Sequence, residues 1–281
     1  MTALDRRPPV ATRGTRPAPP ALRPARRSAH RDVVAATAGG VGIVAVVASG
    51  LVITSGAGGV AATDLDLVER VSRMHSPLVD ATALLIDRLL GPQLGAAIVM
   101  LVAVAVWVAT RRVAEALTVA GVAVLPWTAA ETVKVIVGRD RPDPRLLVDP
   151  LLVEPHSFSF PSGHTALATG LALAIVFVVR GRRARWFAAV VATLGVVVVA
   201  GSRVWIGVHY PTDTLASTVL GCSVVALARP PWRWLLGRFD RPGRFDRPAR
   251  PDRPDRPDRP ARPAVTPPGA PSVPDLERNP R

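Results

Sequence analysis

Lys134-Val135-Ile136-Val137-Gly138-Arg139-Asp140-Arg141-Pro142 closes an apolar run that begins near Val113, and its first residue is the only lysine in a chain of 281 residues. A helix needs about 20 apolar residues to cross the hydrocarbon core of a bilayer, and this run is long enough. It lacks the polar face that a soluble amphipathic helix presents. The same pattern recurs on both sides. Val33–Thr54, Pro92–Thr110, His164–Val179, Trp186–Gly201 and Pro211–Ala228 join Val113–Val137 as predicted spans. His164–Val179 and Trp186–Gly201 are short, and either alone would fit a buried soluble helix; six runs in succession favour a membrane bundle. Hydrophobic residues make up 49% and aromatics 5% of the chain, and its mean hydropathy is +0.28. The expected fold is all-α, an integral membrane bundle of six transmembrane helices over residues 32–229.

Arginine placement orients such a bundle, because short basic segments stay cytoplasmic. Arg23, Arg26, Arg27 and Arg31 precede the first span, Arg111 and Arg112 separate the second and third, and Arg180, Arg182, Arg183 and Arg185 separate the fourth and fifth. Arg229 and Arg233 follow the last. With six spans all four groups fall on one side. Both termini are then cytoplasmic, and outer loops lie near 55–91, 138–163 and 202–210. Lys134, Arg139, Arg141, Arg145 and Arg203 are exceptions on the outer side. Asp140, Asp143, Asp149 and Glu154 could balance some of them, Arg139 and Arg145 above all. Lys134, Arg141 and Arg203 each belong to a polar cluster, and charges at such depth are costly and usually functional.

Residues 1–31 are rich in Arg, Pro and Ala, and residues 230–281 repeat Asp-Arg-Pro. Neither composition can bury a core, so both are expected to be disordered cytoplasmic tails. They contribute much of the net charge of +14. Attraction to anionic lipid headgroups accounts for juxtamembrane arginines more simply than nucleic-acid binding, and no nucleic-acid partner is expected. The one cysteine, Cys222, excludes an internal disulfide and reads as a small packing residue in the last span. The first apolar run follows a long polar arm and is long enough to stay as an anchor, so no cleaved signal peptide is expected. The first outer loop, of mixed charge from Asp64 to Arg88, is expected to carry a short surface helix.

Three polar clusters stand at the outer ends of the runs. In the first, Lys134 and Arg141 can grip different oxygens of one phosphate, the arginine bidentately, and Pro142 stiffens the chain behind it. A snorkelling lysine with an interfacial arginine fits that cluster equally well. In the second, Pro161-Ser162-Gly163-His164, Ser162 is a natural N-cap and Gly163 allows close backbone approach. The helix start makes an anion seat with His164 beside it, although simple capping would also account for the cluster. The third runs from Ser202-Arg203 to His209-Tyr210-Pro211-Thr212-Asp213. Pro211 suits a first helical turn, and a carboxylate four residues after His209 can hold one imidazole nitrogen and leave the other free as a nucleophile.

Taken together, the clusters resemble the signature of the type-2 phosphatidic acid phosphatase family, which shares its site with vanadium-dependent haloperoxidases. The pattern is Lys, six residues, Arg-Pro; then Pro-Ser-Gly-His; then Ser-Arg, five residues, His, three residues, Asp, and every position is present between Lys134 and Asp213. The resemblance implies a phosphatase that uses no metal and no cofactor and acts on a membrane lipid. It implies His209 as the nucleophile that becomes phosphohistidine, Asp213 as its orienting partner and His164 as the acid and later the base. Lys134, Arg141, Ser162, Gly163 and Arg203 would hold the phosphoryl oxygens. Phosphatidic acid, phosphatidylglycerol phosphate and a polyprenyl diphosphate are the implied substrates. A haloperoxidase holding vanadate, or a non-catalytic lipid-phosphate binder or transporter, are the alternatives. Glu131, one turn before Lys134, and His75 and His156 in the outer loops are not assigned to the site.

Overall fold

The computed structural model describes residues 23–154 and 157–236, and among them every regular element is helical. The chain runs through α1 (Arg23–Thr54), α2 (Val60–Ser72), α3 (Pro77–Leu90), α4 (Pro92–Thr110), α5 (Val113–Val137), α6 (Gly163–Val178), α7 (Arg182–Trp205) and α8 (Pro211–Leu236), with 3₁₀ turns at Ala57–Gly59 and Pro144–Leu146. Each of the six predicted spans is a helix. Five of these helices are long and apolar enough to cross a membrane by themselves, and α6 is shorter. At 16 residues, α6 rises only about 24 Å, against a hydrocarbon core of about 30 Å.

That short helix is central. It packs against α5, α7 and α8, while α1 lies along α8 and α4 along α5. Five of its eight buried residues are Gly or Ala. A Cβ on Gly170 would fall 2.6 Å from the Ala123 carbonyl oxygen, so only glycine lets α6 lie this close to α5. Gly39 does the same for α1, where a Cβ would fall 2.4 Å from the Ser223 carbonyl oxygen of α8. Small residues at crossings are how membrane helices gain dispersion contacts without a hydrophobic driving force. Outward-facing Val41, Val44, Leu101 and Val197 are exposed, as lipid-facing positions should be. Cys222, expected as a packing residue, is exposed on α8 instead.

Element boundaries depart from the hydropathy reading in two instructive places. The span expected to stop at Gly201 continues to Trp205, because Ser202 and Arg203 are buried within the bundle and have partners there. The first outer loop holds two helices, α2 and α3, where one was expected. Gly56, Gly58 and Gly59, with φ of 76°, 79° and 67°, turn the chain out of α1, and Ser76-Pro77 starts α3 with proline at N1. Both helices reach inward, burying Asp64, Val68 and Ser72 from α2 and Ala83 from α3. Helix α1 starts within the expected N-terminal arm, and α8 runs past residue 229 to Leu236. The rest of the two expected tails, residues 1–22 and 237–281, and His156 lie outside the described residues.

Candidate active site

The ends of α5, α6 and α8 that carry the three clusters meet at one end of the bundle. Gly138, in the left-handed conformation at φ 63°, closes α5 with its N–H on the Lys134 carbonyl at 2.9 Å and sends Arg139-Asp140-Arg141 back across the helix ends. Ser162 caps α6, its hydroxyl accepting from the Thr165 N–H at 3.4 Å, and its own N–H donates to the Asp213 carbonyl at 3.3 Å. This ties the start of α6 to the first turn of α8. Gly207, at φ 77°, and Pro211 then set His209 between α7 and α8.

A cavity of about 760 Å³ opens there, and Lys134, Arg141, Gly163, His164 and His209 all line it. The remaining three predicted residues stand behind its wall. Arg203 and Asp213 are fully buried, as is Ser162. All eight sequence-predicted side chains therefore belong to one neighbourhood, drawn from chain positions 134 to 213.

The hydrogen-bond pattern fixes the tautomer of His209. Its Nε2 lies 3.2 Å from Arg141 Nη1, and a guanidinium can only donate. Nε2 is therefore the unprotonated nitrogen, and the proton sits on Nδ1, which faces Asp213 Oδ2 at 3.4 Å. Burial first, then the positive charges of Arg141, Arg203 and Lys134, hold the imidazole well below its ordinary 6.5, so the ring is neutral at physiological pH. A neutral ring with its unprotonated nitrogen beside Arg141 can act as a nucleophile once that hydrogen bond gives way.

Asp213 is itself held from three sides. Its Oδ2 accepts the Tyr210 N–H at 2.9 Å, and its Oδ1 pairs with Arg139 Nη1 at 2.6 Å. Arg139 extends the chain to Asp64 of α2 at 2.8 Å and stacks over the Tyr210 ring, 3.9 Å from its centroid. Thr212 bridges the same pair, accepting from Arg139 at 2.8 Å and donating to Asp64. The acids expected to balance Arg139 are not its partners, whereas Arg145 does pair with Asp143 at 2.6 Å on the surface.

Lys134, Arg141 and Arg203 each meet a carboxylate. Lys134 pairs with Glu131 at 3.0 Å. Glu154 spans Arg141 at 2.6 Å and Arg203 at 3.3 Å. Asp87, at the end of α3, pairs with Arg203, and its carbonyl accepts from His164 Nε2 at 3.0 Å. Burial pulls the Arg141 guanidinium below its ordinary value; Glu154 opposes that shift and Arg203 reinforces it. Arg203 Nε is buried with no hydrogen-bond partner among the described residues. Sequence reading did not find Asp87, Asp64 or Arg139 as parts of the site, and it named Glu154 only as a general counter-charge. No spacing marks them. His75 is no part of the cavity lining; it donates from Nε2 to the Trp205 carbonyl at 2.9 Å and braces the end of α7. A Cβ on Gly163 would come 2.7 Å from Glu131 Oε1, so glycine leaves the Glu131 carboxylate its present place beside the start of α6.

Comparison with known proteins reaches the same region. Residues 112–235 match the family described as the PAP2 superfamily. Phosphatidylglycerophosphatase B of Escherichia coli (strain K12) is 35% identical over 85 residues, 30% of this chain and 32% of that protein. The Shigella flexneri protein of the same name matches to the same extent. The matched stretch thus spans about a third of the length of these curated relatives. Among solved structures, the transmembrane PAP2-type phosphatidylglycerolphosphate phosphatase from Bacillus subtilis superposes with a TM-score of 0.55 at 22% identity, covering 70% of this chain and 95% of that one. That likeness establishes the fold, a multi-pass membrane bundle. Residues 112–235, which carry all three clusters, are thus similar to the PAP2 superfamily.

Proposed function

We propose that this protein is a membrane phosphatase that hydrolyses a phosphomonoester or diphosphate of a lipid through a phosphohistidine intermediate. His209 Nε2 attacks phosphorus while the bond to the lipid oxygen breaks, and His164 supplies the proton to that leaving oxygen. Asp213 holds the developing imidazolium. In the second step His164 takes a proton from water, which attacks the phosphohistidine and releases inorganic phosphate with His209 restored. Lys134, Arg141 and Arg203, with the backbone at Ser162 and Gly163, take up the charge on the equatorial oxygens. On this reading phosphate binding displaces Glu154 from Arg141 and Arg203. The observation that carries the proposal is the tautomer of His209, whose unprotonated Nε2 faces Arg141 on a cavity that Lys134 also lines.

The cavity lies at the mouth of an apolar bundle, which suits a substrate whose tail stays in the bilayer. The names of the matched relatives make phosphatidylglycerol phosphate the first substrate to try, with phosphatidic acid and polyprenyl diphosphate beside it. Arginine placement puts the cavity on the extracytoplasmic side with both termini cytoplasmic. The test is phosphate release by the purified protein across these lipids with chelator present. Release that disappears in His209→Ala supports the proposal, together with a ³²P label that survives base and is lost in acid. A strict metal requirement, or release undiminished in His209→Ala, would overturn it.

A further inference from the structure

The bundle holds a second pair of cavities at its other end. Helix α5 begins there while α6 and α8 end there; the cavities draw on Thr118, Val122 and Leu125 of α5, whereas the catalytic cavity draws on Trp127, Glu131 and Lys134 further along the same helix. One cavity, of about 440 Å³, is walled by Val122 and Leu125 of α5, Val176 and Phe177 of α6, and Val225 and Trp232 of α8, with Arg185 and Arg229 at its edge. The adjoining one, of about 450 Å³, shares Val176 and Arg185 and adds Arg182 and Trp186. Volumes of this size lie within the usual range of about 300–1,000 Å³ for small-molecule sites.

Charge at the rim has one sign. Among the described residues no acidic side chain lines either cavity. The nearby Glu115 is already taken by Arg180 at 2.5 Å and Arg112 at 3.5 Å. Arg185 is held in place, donating from Nε and Nη2 to the Val179 carbonyl, both at 3.2 Å, which leaves further donors on its guanidinium. Among the described residues no side-chain hydrogen bond or ion pair reaches Arg182 or Arg229. The apolar wall is built rather than incidental. Trp232 lies flat on α5 because Gly121 has no side chain (a Cβ there would meet the indole at 2.4 Å), and its Nε1 donates to Thr118 Oγ1 at 3.4 Å.

We infer that this end of the bundle binds one anionic glycerophospholipid, with its phosphate at Arg185, Arg229 and Arg182 and an acyl chain in the slot between α5, α6 and α8. An apolar slot opening onto unpaired guanidiniums matches an amphiphile with an anionic head. Free phosphate would use the rim but leave the slot without purpose. Exposed Trp186 and Phe187 beside the rim put the slot at headgroup depth, where such aromatics collect. The lipid bound here is distinct from the substrate, because these cavities share no lining residue with the catalytic one.

Native mass spectrometry of the full chain in detergent, titrated with equal amounts of dioleoyl phosphatidylglycerol and dioleoyl phosphatidylcholine, tests this. The expected result is at least a fivefold preference for phosphatidylglycerol, reduced to parity in Arg185→Ala/Arg229→Ala and kept in Arg185→Lys/Arg229→Lys. Val176→Trp, which fills both cavities and alters no charge, should lower retention of either lipid. Arg141→Ala should leave the preference intact. Parity in the parent protein, an unchanged preference in the alanine double variant, or loss of the preference in Arg141→Ala would each overturn the inference. So would a dimer that Val176→Trp dissociates without any change in bound lipid, since a second copy of the chain would then be the occupant.

Discussion

Replacing Arg139 by Met should unfold the protein more readily than any single change in the catalytic cavity. The side chain is 6% exposed and stands between Asp64, 4% exposed at 2.8 Å, and Asp213, 0% exposed at 2.6 Å. At an effective dielectric of about 20, unit charges about 4 Å apart attract by roughly 4 kcal/mol, and the desolvation of all three groups offsets much of that. Net stabilisation from the intact triad is therefore modest. Removing its cation is another matter, because two carboxylates are left buried without a counter-charge, which costs about 3–5 kcal/mol. This corresponds to roughly two to three and a half powers of ten in the folded-to-unfolded ratio, at about 1.4 kcal/mol per decade. The assay is reversible unfolding in mixed micelles, with circular dichroism as the readout and phosphate release measured in parallel. In Arg139→Met/Asp64→Asn one of the stranded charges is gone, and about 0.5–3 kcal/mol should return as coupling between the two sites. Phosphate release should stay low in both variants, since Asp213 still lacks the arginine that orients it behind His209. A single variant within about 1 kcal/mol of the parent, or a double variant no more stable than the single, would refute this account of the triad.

Three further outcomes follow from the site. Asp87→Asn removes the carboxylate that pairs with Arg203 and lies 3.5 Å from His164 Nε2, and a lost charged hydrogen bond of about 1.5–3 kcal/mol should cut kcat/KM roughly 10- to 100-fold, with partial rescue by Asp87→Glu if the role is positioning. Glu154→Gln releases Arg141 and Arg203 from an internal carboxylate that is 30% exposed and partly screened, so inorganic phosphate should inhibit at roughly three- to tenfold lower concentration; equal or weaker inhibition would contradict this. Because the folded-state pKa of His209 is depressed, its ring stays neutral as pH falls through 6.5 and charges only at lower pH. Imidazole ¹³C NMR, with the signal assigned through His209→Ala, should show no titration of this residue at or above pH 6.5 in the ligand-free protein.

The spans were legible because a bilayer leaves the backbone few choices. A long apolar run must satisfy its own N–H and C=O groups, so α1, α4, α5 and α8 follow from hydropathy alone. Local spacing was equally informative where partners lie within a turn or two: Ser162 caps α6, Pro211 opens α8, and Asp213 stands four residues from His209. Hydropathy failed where a polar residue sits inside the protein. Ser202 and Arg203 read as the end of a span, but the helix runs on to Trp205, because Asp87 and Glu154 make burial of that arginine affordable.

By itself, then, the sequence determined the helical membrane bundle and eight of the residues that line or back the cavity, since apolar run length and short-range spacing are properties of a single segment. Only the tertiary structure decided which carboxylate serves which cation. Asp87 meets Arg203 across 116 positions, Arg139 meets Asp64 across 75 and Asp213 across 74. An ion pair between distant segments leaves no periodicity in either one. It exists because packed small residues bring α6 against its neighbours and because α2 and α3 turn back into the bundle, and those are facts of packing that no stretch of the chain carries alone.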